Sequence, residues 1–405
     1  MAVTVEEALD LISKHVSSKS IKFLPIEDAL GSILAQDISA SHNLPPYDNS
    51  AMDGYAVKLC DEGKTVKVDH TIFAGDNSHK QLQEGYGIKI MTGARIPEGC
   101  ECIVPVEDTS KSDHGVQLPQ ALVKMRHIRF AGEDIKKGEK LLQKGQRLGA
   151  HQLTLLASQG ISHIKVYKQP RIALFASGNE LKMHFEQVED YQLYNTNTPT
   201  FIARAKELGC EVDFIGTAHD TLDDIKEHIQ SALDSDLIIT SGGVSVGDAD
   251  FTKEAFDAFA YENIFDKIEI KPGKPTSFGR IGKTFILNLP GNPLAASLNF
   301  ELFAQSIILA LSGTQEKYLN SIETKLKNDL AFKAGRRTLM PGYFDGSSFE
   351  VCDKFAPGMV SPLAKSNAII MINETCKELK AGDLVKVIPT RFAFYAKEKQ
   401  NLISC

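Results

Sequence analysis

The chain has 405 residues, 42% of them hydrophobic and 24% charged, with a formal net charge of −7. This is ordinary globular composition, long enough for about two to four domains. The negative balance argues against a nucleic-acid binder held by a basic face. The longest apolar runs, such as 307–311, are too short to span a bilayer. The N-terminus lacks a basic stretch followed by an apolar core, so a cytoplasmic protein without secretory signal or membrane anchor is expected.

In chain order, Thr4 followed by Glu7 reads as a capping box, and Val5, Ala8, Leu9, Ile12 and Val16 keep a helical period. A second short helix is expected after Pro25, a residue suited to a first helical position. Residues 44–57, LPPYDNSAMDGYAV, hold far more turn chemistry than a simple connection needs. From about 55 to 135, short β-like runs (HTIFAG, YGIKIMTG, ECIVPVE) alternate with Gly and Pro turns. GAHQLTLLASQG then reads as helix, so a β insertion within a mostly helical N-terminal domain is expected. The seven cysteines include no C-x-x-C pair. Cys100 and Cys102 would share a face on a strand. Reduced thiols are the expectation, with a metal or redox role for that pair as the alternative.

After Pro170 strands and helices alternate: RIALFAS, a helix opened by Thr198 and Pro199 and ended by Gly209, EVDFIGT, TLDDIKEHIQSAL, DLIITS, FTKEAFDAFA, KTFILNL and LAASLNFELFAQSIILAL. Such alternation predicts a mostly parallel sheet covered by helices. The tail returns to short strands around PGYFDG, FAPGMVSP and DLVKVIPT, as in a small closed or half-closed β domain. The expected domains are residues 1–45 with 138–168, 46–137, 169–316 and 317–405.

Ligands of open parallel sheets bind at the carboxyl ends of the strands. Those ends here carry Gly178-Asn179-Glu180, Asp220, GGVSVGDAD (242–250) and PGNP (290–293). Gly242, Gly243 and Ser245 have the make-up of an anion cradle, and Asp248 and Asp250 are hard oxygen donors of the kind Mg²⁺ takes beside phosphates. Asp250 also suits a plain N-cap. Asn292 and Pro293 are ordinary helix-start residues, and the first-turn N–H groups after them could also bind an anion. In KPGKP (271–275) the prolines and glycine restrain a loop bearing Lys271 and Lys274, and Lys267 would share a face with Lys271. Surface lysines of no function are the bland alternative. The eleven histidines show no paired metal spacing. His219, the one beside a candidate loop, is read as structural. G-x-S-x-G, the dinucleotide glycine fingerprint and the Walker A motif are absent from the sequence.

Taken together, LPPYDNSAMDGYAV, IMTGARIPEG, AGED, SGNEL, SGGVSVGDADFTK, IKPGKPTSFG and LPGNPLAASL stand in the order found in the MoeA family. The chain resembles that family, whose eukaryotic relatives include the E domain of gephyrin, over essentially its whole length. The resemblance implies a four-domain α/β protein: a discontinuous helical domain, an inserted β domain, a molybdopterin-binding three-layer domain and a C-terminal β-barrel-like domain. It implies an elongated homodimer and Mg²⁺-dependent insertion of molybdate into adenylylated molybdopterin, with release of AMP. Implied functional residues are Asp53, Thr92, Asp134, Glu180, Asp220, Asp250, Lys267 and Lys271. Lys274, Pro290, Pro293 and Arg336 are implied to hold substrate, beside Gly291 and Asn292 of the same PGNP motif. Glu180, Asp220 and Asp250, with Asp248, are the candidate metal ligands. Partners would be other proteins of molybdenum cofactor biosynthesis and apo-molybdoenzymes.

The chain departs from the family pattern at Asn179 and Asn195, where aspartate is usual, and at Ala295 and Pro357, where serine is usual. The last two bear on oxyanion identity. Three alternatives stand beside this reading. One is a paralogue serving tungstate, and another is the adenylyltransferase step of single-domain relatives. The third is a molybdopterin-binding scaffold.

Overall fold

The computed structural model describes residues 2–18, 20–77, 80–242, 251–332 and 335–391. Helix α1 (Val5–His15) starts at the expected capping box: Thr4 accepts from the Glu7 N–H and the Glu7 carboxylate accepts from the Thr4 N–H. Its buried residues Val5, Ala8 and Ile12 occupy one helical face. That face joins the main hydrophobic core of the α/β sheet described below. The short helix expected after Pro25 is a single 3-10 turn, Ile26–Asp28. The residues before it, Ile21–Pro25, form a strand paired with His163–Tyr167. The N-terminal region is therefore mixed rather than mostly helical, with α2 (Ala150–Ser158) as its other helix.

The insertion is a six-stranded sheet in the order Cys102–Pro105, Gly54–Val57, Tyr86–Ile90, Thr65–Ile72, Gly115–Gln117, Ser110–Ser112. Side chains alternate between two apolar clusters, with Tyr55, Val57, Cys102 and Val104 in one and Ala56, Ile88, Ile90 and Ile103 in the other. Cys100 packs against the second cluster, so the shared face expected for Cys100 and Cys102 is not realised. The reason is local: the strand begins at Cys102, and Cys100 lies in the turn before it. Burial pushes the two thiols up to about 12 and about 11. Nearly all of each is therefore neutral at pH 8, and neutral thiols are poor nucleophiles. In an alkylation time course read by mass spectrometry, exposed Cys60 is expected to label before Cys100 and Cys102. Cys100 and Cys102 should stay unmodified until the chain is unfolded.

The α/β region has strands β1 (Arg171–Ser177), β2 (Glu211–Ala218), β3 (Leu237–Ser241), β4 (Glu262–Phe265), β5 (Ser277–Ile281) and β6 (Thr284–Leu289), in the spatial order β2-β1-β3-β6-β5-β4. The first four run parallel, and β5 and β4 add antiparallel. β3 and β6 are buried throughout, which is why their sequences read as near-continuous apolar runs. The helices are α3 (Asn197–Glu207), α4 (Leu222–Ala232), α5 (Phe251–Asp257), α6 (Pro293–Asn299) and α7 (Gln305–Ser312). Helix α3 starts two residues earlier than expected, with Thr196 in place of Thr198 at its N-cap, and Asn195 accepts from the Thr198 N–H through Oδ1 and donates to Thr198 Oγ1. A π-helical turn, Phe300–Ala304, joins α6 to α7.

Pro293–Ser312 is long and apolar enough to cross a membrane by length and composition, which corrects the expectation from uninterrupted apolar runs. Its most apolar window is 83% buried inside the fold, as befits a core helix. In the π turn, Glu301 accepts from Arg204 Nε and Nη2 at 2.7 and 2.8 Å, tying α3 to the core helix. Arg204→Met leaves that carboxylate, only 12% exposed, without its ion-pair partner. It is expected to cost about 3 kcal/mol, measurable as a lowered urea midpoint.

The C-terminal strands Arg337–Phe344, Ser348–Val351, Ile322–Leu326, Leu384–Pro389 and Ala368–Ile372 close on themselves, since the last also pairs with the first. The result is a five-stranded barrel around Phe349, Ile370 and Val387. FAPGMVSP, read above as strand, is instead a turn leading into the short helix α8 (Ser361–Lys365). Ile270–Lys271 pairs in parallel with Arg337–Thr338, which binds the barrel to the α/β region.

Candidate functional site

The adjacent carboxyl ends of β2, β1, β3 and β6 form one rim. At the end of β1, Ser177 Oγ donates to Asp220 Oδ1 at 2.8 Å. The Asn179 N–H donates to Asp220 Oδ2 at 3.4 Å, and the Asp220 N–H donates back to Asn179 Oδ1 at 3.2 Å. Asn179 thus locks the two strand ends by its amide oxygen. A carboxylate oxygen at that position could accept the same bond. Glu180 is exposed, and its carboxylate folds back toward Gly178, where an added Cβ would stand 2.8 Å from Glu180 Oε2.

Gly242 follows β3 in the left-handed region at φ +95°, and a Cβ there would lie 2.3 Å from the Ser177 carbonyl oxygen. Only glycine allows this approach. Gly291 abuts Gly242, its hypothetical Cβ 3.6 Å from the Gly242 Cα. The loops after β1, β3 and β6 therefore meet. Gly243, Ser245, Asp248 and Asp250 lie outside the described residues.

The PGNP loop starts helix α6. Pro290 is buried, Asn292 stands at the N-cap of α6 without a side-chain cap bond, and Pro293 is the first helical residue. The next two N–H groups, of Leu294 and Ala295, donate to the Pro357 carbonyl oxygen at 2.9 and 3.3 Å. Proline has no donor of its own. Of the two readings, plain helix start or anion site, the first-turn donors of Leu294 and Ala295 fit the first, being occupied by a loop of the barrel region.

The lysines fall as expected on one face: Lys267, Glu269 and Lys271 are exposed while Ile268 and Ile270 between them are buried. The register places Lys271 opposite Thr338, two residues beyond Arg336. Arg337 is neutralised by Glu6 and Glu374. Among the described residues, Lys267, Lys271, Lys274 and Arg336 are shown in no ion pair. The lysine loop is held from beneath by Asn299, which is wholly buried. Asn299 Nδ2 donates to the Pro272 carbonyl at 3.1 Å and to the Ala295 carbonyl at 2.7 Å. Thr276 Oγ1 lies 3.2 Å from Asn299 Oδ1 and 2.9 Å from the Gly273 carbonyl.

A separate cluster lies in the inserted sheet. Asp53 Oδ1 accepts from both the N–H and Oγ1 of Thr92 at 2.7 Å, and these bonds hold the carboxyl below its ordinary range. Gly54 must lack a side chain, because a Cβ would lie 2.2 Å from the Val104 carbonyl oxygen. Asp134 is on the crossing between regions, its N–H donating to the Leu44 carbonyl at 3.0 Å. The sequence stretch 44–57 is thus pinned by AGED: Gly132 N–H donates to the Pro45 carbonyl and Ala131 N–H to Asp48 Oδ1. Within one chain, no hydrogen bond or ion pair among the described residues joins Asp53, Thr92 or Asp134 to the strand-end rim.

Ser177, Asn197, Asn299 and the Pro357 carbonyl escaped the sequence reading. Asn299 carried a signal, a lone amide in an otherwise apolar run of helix. Pro357 carried none for this contact, because its carbonyl is the acting group. Among the described residues the one tight group of potential metal ligands is Cys60, Asp61 and Glu84, away from the rim. Asp61 there accepts from the Gly85 N–H and is explained by its fold.

Comparison with known proteins bears on this geometry. Residues 3–160 match the model described as MoeA N-terminal region (domain I and II), 173–310 match "Probable molybdopterin binding domain", and 323–390 match MoeA C-terminal region (domain IV). A molybdopterin molybdenumtransferase of Haemophilus influenzae is 35% identical, covering 91% of this chain and 93% of its own. One of Staphylococcus epidermidis is 32% identical, covering 98% and 97%. A solved structure titled as a molybdopterin biosynthesis MoeA protein from Pyrococcus horikosii superposes with a TM-score of 0.85 at 30% identity, covering 97% of this chain and 100% of that one.

Proposed function

The chain belongs to the MoeA family, and we propose that it is the transferase that inserts molybdate into adenylylated molybdopterin and releases AMP. The observation carrying this reading is the juxtaposition at the sheet rim. Lys271 and Lys274, which make no ion pair among the described residues, sit on a loop that Asn299 bonds to α6, whose preceding PGNP loop abuts the Gly242 turn. Molybdate is a dianion, and Lys271, Lys274 and Arg336 supply positive charge to hold it. The Gly242–Gly291 contact leaves backbone accessible to a phosphate. No side-chain nucleophile is needed, because the dithiolene sulfurs of the substrate replace molybdate oxygens.

The donor set fits a hard divalent cation. Glu180 has a free carboxylate among the described residues, and Asp220 is oriented by Ser177 and Asn179. These two residues would hold Mg²⁺, with Asp248 and Asp250 as further candidates. Bound there, the ion would neutralise phosphate charge as the AMP bond is cleaved. Ser177 then acts as the group that fixes the Asp220 carboxylate. We place the protein in the cytoplasm as a homodimer, with Asp53 and Thr92 facing the rim of a second subunit. Other cofactor-biosynthesis proteins and apo-molybdoenzymes are its proposed partners.

Purified protein supplied with adenylylated molybdopterin, Mg²⁺ and molybdate is expected to release AMP and to activate an apo-molybdoenzyme. Absence of both sinks the proposal. Ala295 and Pro357 remove two hydroxyls near the lysine loop, which favours testing tungstate as a competitor in the same assay. A lower apparent KM for tungstate would reassign the oxyanion and keep the reaction.

A further inference from the structure

We infer that Asn197 is a positioning residue that clamps the two phosphate-facing loops together, an inference that rests on the function proposed above. Asn197 is the first residue of α3 and is only 7% exposed. Its Nδ2 donates to Ser241 Oγ at 2.7 Å and to the Gly291 carbonyl at 2.8 Å. Ser241 is the last residue of β3, directly before Gly242, and Gly291 lies in the loop after β6. One amide group thus joins the ends of neighbouring strands at the place where Gly242 and Gly291 touch.

The orientation of the amide is dictated by chemistry. A backbone carbonyl can only accept, so the NH₂ side must face Gly291. The consequence is that Asn197 Oδ1 is buried with no hydrogen-bond partner. Most buried acceptors in folded proteins are paired, so an orphan needs a reason. The clamp supplies one: both donors are used on the loops, and the oxygen is left over. Asn195, two residues earlier, does the ordinary work of starting the helix, so Asn197 is free of that duty. An aspartate or leucine at 197 could fill the space but could not donate to Gly291.

The clamp sets the spacing between the Gly242 turn and Gly291, and so the seat for the nucleotide-bearing phosphate. The lysine loop is held by a different amide, Asn299. The inference therefore separates the two substrates. In Asn197→Ala, the KM for adenylylated molybdopterin is expected to rise at least about tenfold with a comparable fall in kcat, since a shift of about 1 Å can cost that much. The KM for molybdate should change less than about threefold. Hydrogen-exchange mass spectrometry should show faster exchange at Gly242 and Gly291, with the 271–276 peptide unchanged.

Asn197→Asp has nearly the same volume and carries the same expectations if the alanine variant misfolds. Combined with Ser241→Ala, the effects should be far from additive, because both remove the same bond. Unchanged exchange at both glycines in the folded variants overturns the inference. So does a parallel rise in both KM values, which would mark general loosening of the site. If wild type releases no AMP, the function proposal fails by itself, and the exchange comparison still decides the clamp.

Discussion

Asp53→Ala is expected to lower molybdate insertion by at least about 100-fold while leaving the chain folded. The carboxylate is exposed, outside every apolar cluster, and fixed by both donors of Thr92. Electrostatic groups so fixed act without reorganisation, which is where large effects come from. Asp53→Asn separates geometry from charge, since the amide oxygen can still accept from Thr92. Equal loss in both variants assigns the role to charge, whereas near-normal activity in the amide variant would remove Asp53 from the electrostatics. Thr92→Ala should cost less, about tenfold, because the backbone N–H bond survives.

The pH dependence follows in sign. The folded-state pKa of Asp53 is depressed by the Thr92 bonds. Any stability from those bonds is present above the ordinary aspartate range and is lost as pH falls through the depressed value. Asp53 should therefore contribute no acid limb to an activity profile taken above pH 5. The proposed subunit arrangement makes a further claim. Mixing Asp53→Ala with Lys271→Ala subunits, each inactive alone, should restore about a quarter of wild-type activity by random pairing in a symmetric dimer. No recovery would place both residues in one chain's site.

Gly273→Ala is the second large effect, and it comes from sterics. Gly273 has φ +108°, and a Cβ would stand 1.8 Å from Asn299 Nδ2. Asn299 cannot retreat, because it is wholly buried and bonded to Pro272 and Ala295. Either the loop lifts, carrying Lys271 and Lys274 out of place, or the core helix shifts. The expected cost is about 3–5 kcal/mol, in the range of overpacking combined with backbone strain. The expected activity loss is about 100-fold. Asn299→Ala removes the obstacle, so the double variant should be more stable than Gly273→Ala alone in urea unfolding. Strict additivity of the two changes would mean that the contact is not the cause.

Much of the architecture was legible where one residue type has one physical use. Thr4 and Glu7 marked the start of α1 because a capping box is made within four residues. The buried runs of β1, β3 and β6 marked a parallel sheet because both its faces are covered. Errors fell where neighbours override the local pattern. Pro25 does precede a helical turn, but it is a single 3-10 turn, because Ile21–Pro25 is captured as a strand by His163–Tyr167. Cys100 and Cys102 looked co-facial, but the ladder begins between them.

The site divides in the same way. Rigid loops, clustered lysines and acidic strand ends were visible in residue order alone, because glycine and proline restrict the backbone wherever they stand. The ordered motifs identified the family for a similar reason, each being a short string. What holds those loops is a set of contacts between residues far apart in the chain. Asn299 reaches back to Pro272, Asn197 spans Ser241 and Gly291, and Asp53 meets Thr92. The Pro357 carbonyl closes the helix end that composition offered to an anion. An amide or a carbonyl has no preferred partner written beside it. Which donor meets which acceptor is settled only when packing of the sheet, the core helix and the barrel brings them within 3 Å or so.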